Sequence, residues 1–386
     1  MVSNNFRSTS IRSSIIYFLL FAAFAAILPF LALYYGSLGL SGGQIGLLLG
    51  VSPLVTLIAS PFWTGLTDAR KRHGTVLVMA LLAPAGIMTI FPIIHSFPLI
   101  LSTIILFSFF SAPTLALVDS ATLSMLGDQR DLYGRIRLWG TIGWGLSAPL
   151  VGEVLQRYGL QWMFWIYALL MILNLGPIRR LEFSYRSTTT SFQQGMLSVL
   201  ADRRWLSVLV MIFVTAIGLT AHTNYMSVLL DEIGATKTLV GIAVTISTIF
   251  ELPVLFFSNY LLRKFKTKGL LLLAMGVTGL RCILYSFSSS PQVVLAIQCL
   301  HGLTFPALWV AGVTYASENA PEGLIASTQG LLSAVLMGLG AGAGGLIGGL
   351  LIDSLGVSGM FGVIGAAVLI GLAVFLIIER FWGSSE

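Results

Sequence analysis

The sequence predicts an all-α membrane protein of twelve transmembrane helices in two pseudo-symmetric six-helix bundles. Three observations carry that reading. Charged residues make up only 9% of the chain and hydrophobic residues 56%, whereas a soluble domain holds about 25% charged residues. Apolar runs of about 20 residues, the length that crosses a bilayer as a helix, recur from one end to the other. Basic residues gather in alternate loops, and a weak internal repeat relates the first half to the second.

The twelve spans read as 13–35, 44–66, 74–95, 98–125, 133–157, 161–180, 205–230, 238–262, 269–289, 291–316, 325–353 and 357–380. The first follows a short polar, basic lead. Its apolar stretch, Ile15 to Tyr35, is too long for the core of a signal peptide and no A-x-A pattern closes it, so it reads as a membrane helix. The loop after the second span is "TGLTDARKRH", with Asp68 ahead of Arg70, Lys71 and Arg72. Further basic clusters are Arg130, Arg135 and Arg137; Arg179, Arg180, Arg186, Arg203 and Arg204; and Arg263, Lys264, Lys266 and Lys268. The opposite loops hold little more than Arg157 and Lys237. Positive residues stay on the cytoplasmic side. That places the basic loops, both termini and the long middle loop in the cytoplasm, with the protein in the plasma membrane. The net charge of +6 reports this topology and implies no nucleic-acid partner.

The stretch Leu181 to Arg204 is the longest polar segment. It divides the chain into a bundle at 1–180, a cytoplasmic linker at 181–204 and a second bundle at 205–386. An offset of 195 residues places Gly46 on Gly241, Lys71 on Lys266 and Gly74 on Gly269. Six-helix halves with internal similarity are the pattern of a transporter whose site lies near the midplane, served by both halves.

A charge at a helix centre costs about 2.5–3.5 kcal/mol on insertion scales and marks a cavity or a partner. Asp119, Arg137, Glu251 and Arg281 are such charges, with His301 beside them. Counting from the cytoplasmic end of each helix at 1.5 Å per residue, Glu251 lies about 16 Å deep, Arg281 about 18 Å and His301 about 21 Å. An acid, a guanidinium and an imidazole on spans 8, 9 and 10 therefore share one depth. Asp119 and Arg137 lie about 10 Å in by the same count. Arg137, Thr141 and Trp144 stand at i, i+4 and i+7, one helix face offering a fork, a hydroxyl and a ring to a ligand. A salt bridge of Asp119 with Arg137, a pin of Glu251 with Arg281 and a packing role for His301 are the structural alternatives.

Other polar residues carry less. His222 and Asn224 on span 7 line a cavity or bond a neighbouring backbone. Glu153 and Asp353 sit at outer helix ends, where a carboxylate reaches water. Tyr17, Tyr34, Tyr285, Trp309 and Tyr315 are candidate cavity aromatics or belt and packing residues. The glycine run 338–349 suits close helix packing and sliding. Cys282 and Cys299 fall inside spans as small apolar residues, with neither a disulfide framework nor a zinc site in view. No HExxH, GxSxG or Walker A pattern is present, so the protein reads as no enzyme and as needing no cofactor beyond a coupling proton.

The loop "TGLTDARKRH" resembles the signature between helices 2 and 3 of the major facilitator superfamily, with Thr64 and then Gly65 where that pattern leads with glycine. The resemblance implies a cytoplasmic gate made by Asp68, Arg70, Lys71 and Arg72. "VDSATL" with "YGRIRLWGTIGWGLSAPLVG", and "FELPVLFF", "LRCILYSF" and "QCLHGLTFP", resemble helices 4, 5 and 8 to 10 of the lactose permease group of proton symporters. The resemblance implies sugar-binding roles for Asp119, Arg137, Trp144 and Glu251, with His301 joined to them. It implies a proton-coupling role for Arg281, and Glu251, His301 and Asp119 are the further candidates for coupling. Thr304 stands where that group keeps an acid and Gln298 precedes His301 by three. "YGRIRLWG", with the threonine, is similar to the branch that includes phenylpropionate permeases.

The expectation is a monomeric, proton-coupled symporter that imports a small polar organic solute, a sugar or oligosaccharide first, by alternating access. An aromatic carboxylate as the solute is the second reading. A proton-coupled drug exporter is the third, because "GLSAPLVG" resembles the Gly-Pro signature of antiporters apart from Ala148 and Glu153.

Overall fold

The computed structural model describes residues 2–127, 129, 132–179, 202–321 and 324–383. Of the expected linker 181–204 only 202–204 are among them, and Arg130, Arg180 and Arg186 lie outside. The described residues form helices and no strands, the one spanning geometry that satisfies its backbone hydrogen bonds within a single segment.

In the first half, α1 (Val2–Ile27) passes through a 3-10 turn at Leu28–Phe30 into α2 (Leu31–Ser37), and α3 (Gly42–Arg70) and α4 (His73–Ile90) follow. α5 (Phe97–Ser111) and α6 (Thr114–Leu126) make the fourth span, interrupted at Pro113, which lacks the N–H that would continue a helix. α7 (Tyr133–Tyr158), α8 (Trp162–Leu173) and α9 (Leu175–Ile178) complete this half. The second half holds α10 (Arg203–Glu232), α11 (Lys237–Phe256), α12 (Ser258–Ser286), α13 (Pro291–Gln298) and α14 (Phe305–Glu318). It ends with α15 (Ile325–Ser333), a wide turn at Ala334–Gly340 and α16 (Ala341–Gly383).

Among the described residues, eight helices are long and apolar enough to cross a membrane, or nine with the bent pair Pro291–Gln298 and His301–Glu318. The other expected spans are present in less regular form. Ser327–Ile378 carries two of them, separated at Gly356, where φ is 69°. Tyr133–Tyr158 is thinned in apolar character by Arg135, Arg137, Glu153 and Arg157, and Trp162–Ile178 is shorter. The expected eighth span, 238–262, is interrupted near Phe257, one turn after Pro253. Large apolar side chains such as Leu99, Leu169 and Ile370 stay exposed, as they do where lipid is the solvent.

The chain packs as two compact units. The first comprises Met1–Leu40, Leu54–Thr188 and Ala235–Thr245; the second comprises Ser41–Pro53, Thr189–Gly234 and Ile246–Glu386. Each unit thus takes the start of one helix from the opposite half of the sequence. In the first unit the start of α11 lies on α7. A side-chain carbon on Gly241 would stand 2.3 Å from the Ala148 carbonyl, and one on Gly152 would stand 2.4 Å from the Lys237 carbonyl. Thr245 Oγ1 donates to the Gly145 carbonyl at 2.6 Å, and Thr238 Oγ1 donates to Glu153 at 2.7 Å. The glycine positions place the two backbones in direct contact.

In the second unit the start of α3 lies on α16. Gly42, Gly46 and Gly50 face Gly342, Gly345 and Gly349, so that a carbon on Gly349 would meet the Gly42 carbonyl at 2.2 Å. The glycine run therefore does provide close packing. Asp353 is exposed at its helix end as expected, yet its carboxylate is not merely solvated. It accepts from the Gly42 and Gly43 amides at 2.5 and 2.7 Å. An anion at the first turn of a helix answers amides that have no partner within the helix.

The packing yields a pair of opposite expectations. Gly349→Ala forces a backbone clash and lowers stability by about 1–3 kcal/mol. Gly86→Ala, with no atom within 4 Å of the added carbon, leaves stability unchanged or raises it by up to about 1 kcal/mol. Thermal unfolding of the two variants in detergent checks both signs.

Candidate functional site

In the first unit, small residues let α1 lie directly on α7. Ala22, Ala23, Ala25 and Ala26 are buried, and a side-chain carbon on Gly143 would stand 2.3 Å from the Phe18 carbonyl. This approach carries Tyr17 and Phe21 to the α7 face that bears Arg137. The fully buried Tyr17 donates its hydroxyl to Asp119 at 2.5 Å, and Tyr133 meets the Tyr17 ring edge-on with centroids 6.5 Å apart. The Arg137 guanidinium carbon lies 4.2 Å from the Phe21 ring centroid and 5.3 Å from that of Tyr17. Gly140 makes room for it, since a carbon there would meet Phe21 at 2.9 Å and Arg137 Nη1 at 3.0 Å.

The cation thus rests on ring faces, a contact worth about 0.5–2 kcal/mol. The hydrogen bond to Asp119 comes from Tyr17. Thr141 and Trp144, half-buried, continue the same α7 face. Of the expected residues, Asp119 and Arg137 are brought together through Tyr17. Phe21 and Tyr133 join them without having been singled out from the sequence.

The second unit builds a different cluster around Arg281, only 2% exposed. Its Nη1 donates to His301 Nδ1 at 3.0 Å and to Thr304 Oγ1 at 3.2 Å, and its Nη2 donates to Gln298 Oε1. Gln298 is fully buried; its Oε1 also accepts from Ser247 Oγ at 2.8 Å, and its amide nitrogen meets the Met226 sulfur. Helices α10, α11, α12 and α13 therefore meet at one side-chain amide.

The chain around His301 explains how three acceptors reach one guanidinium. Gln298, His301 and Thr304 are spaced by three, and the helix yields to a 3-10 turn at His301–Leu303, in which positions three apart eclipse. The flanking helices are bent there by 49°. Pro306 opens α14, and Thr304 Oγ1 returns its own proton to the His301 carbonyl at 2.7 Å. A carbon on Gly302 would stand 2.1 Å from the Phe250 carbonyl. The turn thus lies directly on the α11 segment that carries the half-buried Glu251.

Two further rings close the cluster. His222 stacks on Tyr285, with centroids 5.5 Å apart and planes within 6°, and tilts toward His301 at 5.7 Å. The Arg281 guanidinium carbon is 5.6 Å from the Tyr285 centroid. His222 and Tyr285 are thereby cluster residues, whereas Tyr34 packs on Phe91 and Phe164, and Tyr315 on Trp205. A guanidinium has no lone pair to offer, so His301 Nδ1 must be the acceptor, and the ring proton then sits on Nε2.

At the loop expected to act as a gate, Asp68 is 72% exposed and its carboxylate lies 3.0 Å from His73 Nε2, on the first residue of α4. Arg70, Lys71 and Arg72 are exposed, and Lys71 adopts a φ of 52° to turn the chain.

Comparison with known proteins agrees with this architecture. The family model described as "MFS_1 like family" matches residues 10–363. The chain is 27% identical over 366 residues to the maltose permease of Geobacillus stearothermophilus, spanning 94% of this chain and 93% of that one. It is 23% identical over 333 residues to the probable 3-phenylpropionic acid transporter of Escherichia coli (strain K12), spanning 83% and 86%. The crystal structure of the nucleoside transporter NupG superposes with a TM-score of 0.86 at 15% identity, covering 96% of this chain and 99% of that one. That last likeness concerns the fold.

Removal of the amide acceptor tests the second cluster directly. Gln298→Leu leaves an Arg281 N–H without a partner in an apolar setting and lowers stability by about 3 kcal/mol. Gln298→Glu keeps the acceptor and keeps the fold. A leucine variant that unfolds at the wild-type midpoint would remove Gln298 from the anchoring role.

Proposed function

The chain belongs to the MFS_1 like family of major facilitator transporters, and we propose that it is a proton-coupled symporter importing a small polar organic solute by alternating access. Its family and relatives are transporters, not enzymes. The preferred solute is a sugar or an oligosaccharide. A multi-pass protein of this type sits in the plasma membrane, and the basic loops support a topology with both termini in the cytoplasm.

The observation that carries the coupling is the bond from Arg281 to His301 Nδ1. While that nitrogen accepts from the guanidinium it cannot hold a proton. Loading a proton on His301 Nδ1 and keeping the Arg281 contact exclude one another. A proton arriving in this cluster therefore displaces a buried cation, and the displaced cation rearranges the turn that carries Gln298, His301 and Thr304. Glu251, on the α11 segment next to that turn, takes the proton first and passes it to His301 in this reading, with Asp119 as a second carboxylate. An aqueous proton thus gains leverage over helix packing.

Solute binding is assigned to Asp119, Arg137, Thr141 and Trp144 with Glu251 and His301. The ring-lined seat of Arg137 supports a ligand that presents hydroxyls to the fork and an apolar face to Trp144. The resemblance to a protein named maltose permease over nearly the whole chain supports a sugar. An aromatic carboxylate is the second reading, supported by Arg281 and by the likeness to a probable 3-phenylpropionic acid transporter. Asp68, Arg70, Lys71 and Arg72 serve as the cytoplasmic gate. The protein works as a monomer, with the bilayer and protons as its other partners.

A thermal-shift screen of sugars, nucleosides and aromatic acids on purified protein identifies the solute, and proteoliposome uptake driven by a pH gradient tests the coupling. Glu251→Gln abolishes accumulation against a gradient and leaves solute exchange; full uphill uptake by this variant would sink the coupling assignment. Arg137→Ala and Arg137→Lys both lose solute binding with the fold intact, whereas full affinity in the lysine variant argues against a fork. Stabilisation by lipophilic cations alone would favour an exporter.

A further inference from the structure

Resting on the transport reading, we infer that the solute, whether sugar or aromatic, carries a carboxylate, and that Arg281, Tyr285 and His222 are the residues that receive it in the second unit. A guanidinium has five N–H groups. Two on Nη1 go to His301 and Thr304, and one on Nη2 goes to Gln298. The Nε–H remains. The buried Nε has no hydrogen-bond partner among the described residues, and neither does the hydroxyl of Tyr285 or the Nδ1 of His222.

These three atoms belong to one place. Arg281 and Tyr285 are one helical turn apart on α12, the guanidinium lies by the Tyr285 ring, and His222 stacks on that ring from α10. Leaving each buried polar atom unsatisfied costs about 1–3 kcal/mol, and more for a charged one. Three such atoms in one cluster fit a polar partner.

The geometry specifies the partner's chemistry. Gln298, His301 and Thr304 occupy the guanidinium in a way that leaves Nε–H free, and a carboxylate is the acceptor that bonds a guanidinium N–H most strongly. A carboxylate offers about four lone-pair sites. Three donors face it: Nε–H, the Tyr285 hydroxyl and His222 with its proton on Nδ1. A sugar hydroxyl brings a donor of its own into a ring of donors, and it brings no negative charge to a buried guanidinium. All three unpartnered atoms are shielded from water in this conformation, so the carboxylate enters as the stacked rings of His222 and Tyr285 part. Gln298 is then a positioning residue, since it holds the guanidinium with Nε–H open.

The experiment measures binding to the purified full chain by thermal shift and calorimetry, with benzoate against benzamide, D-glucuronate against D-glucose, and potassium chloride alone. Each acid is expected to bind more tightly than its neutral partner. Tyr285→Phe and His222→Phe, which keep the ring stack, each weaken the acids by about tenfold or more and leave neutral solutes unchanged. Equal binding of acid and neutral partner, or an acid preference unchanged in both variants, overturns the inference and leaves the transport reading standing. So does chloride reproducing the effect, or an acid preference that emerges only in Glu251→Gln, which would put the chain's own carboxylate on that N–H. Failure of every polar solute in the wider screen removes the transport reading and the inference with it.

Discussion

A guanidinium does not surrender its proton in a protein, and this chain buries one in the apolar interior of its second unit. Much of the local architecture there answers that fact. Arg281 needs acceptors from several directions, and the tenth span supplies them only by giving up regular helix geometry. Gln298, His301 and Thr304 line up because the chain tightens into a 3-10 turn, and Gly302 lets that turn lie on the α11 backbone. The bend of the tenth span is therefore a consequence of electrostatics as much as of Pro306. The first unit meets its own cation differently. Arg137 lies on the faces of Phe21 and Tyr17, and Tyr17 passes its hydroxyl proton toward Asp119. One cation is held by three side-chain acceptors with its Nε–H left over, and the other rests on rings.

Glycine is what allows either cluster to exist. Gly143 and Gly140 bring α1 to α7; Gly302 brings α11 to the broken span; the 342–349 glycines receive the start of α3. In lipid there is no hydrophobic drive between helices, so close backbone approach and the hydrogen bonds it permits do that work. The Thr245 bond to the Gly145 carbonyl and the Tyr225 bond to the Gly345 carbonyl are examples of side chains bonding a backbone that glycine leaves bare.

The fold class was legible because lipid imposes a coarse rule, a run of about twenty apolar residues for each crossing. The depth of each charge followed from helical rise alone, and it singled out Arg281, His301 and Glu251. What stayed hidden was rotation about each helix axis. Depth counting does not say that Tyr17, rather than Arg137, supplies the hydrogen bond to Asp119, or that Phe21 lies under Arg137. Gln298 stood out only as a neutral residue three before His301. Its hub role arises from the 3-10 turn, which no periodicity in "QCLHGLTFP" announces. Asp353 read as a helix-end carboxylate, since its partners Gly42 and Gly43 lie some three hundred residues away in sequence. The weak apolar character of Tyr133–Tyr158 shows the same limit.

The division of the chain into units bears on how the protein is made. The first unit is complete only with residues 235–245, and the second includes residues 41–53. During synthesis the first six spans therefore enter the membrane without the segment that lies on Gly145, Ala148 and Gly152, and α7 keeps an uncovered glycine face until α11 emerges. The start of α3 waits longer still, since its glycines meet a helix that begins at Ala341. Final packing is thus deferred until nearly the whole chain has left the ribosome. For the same reason, the two halves expressed as separate fragments would each lack a piece of their own unit, and would regain it only by assembling with the other.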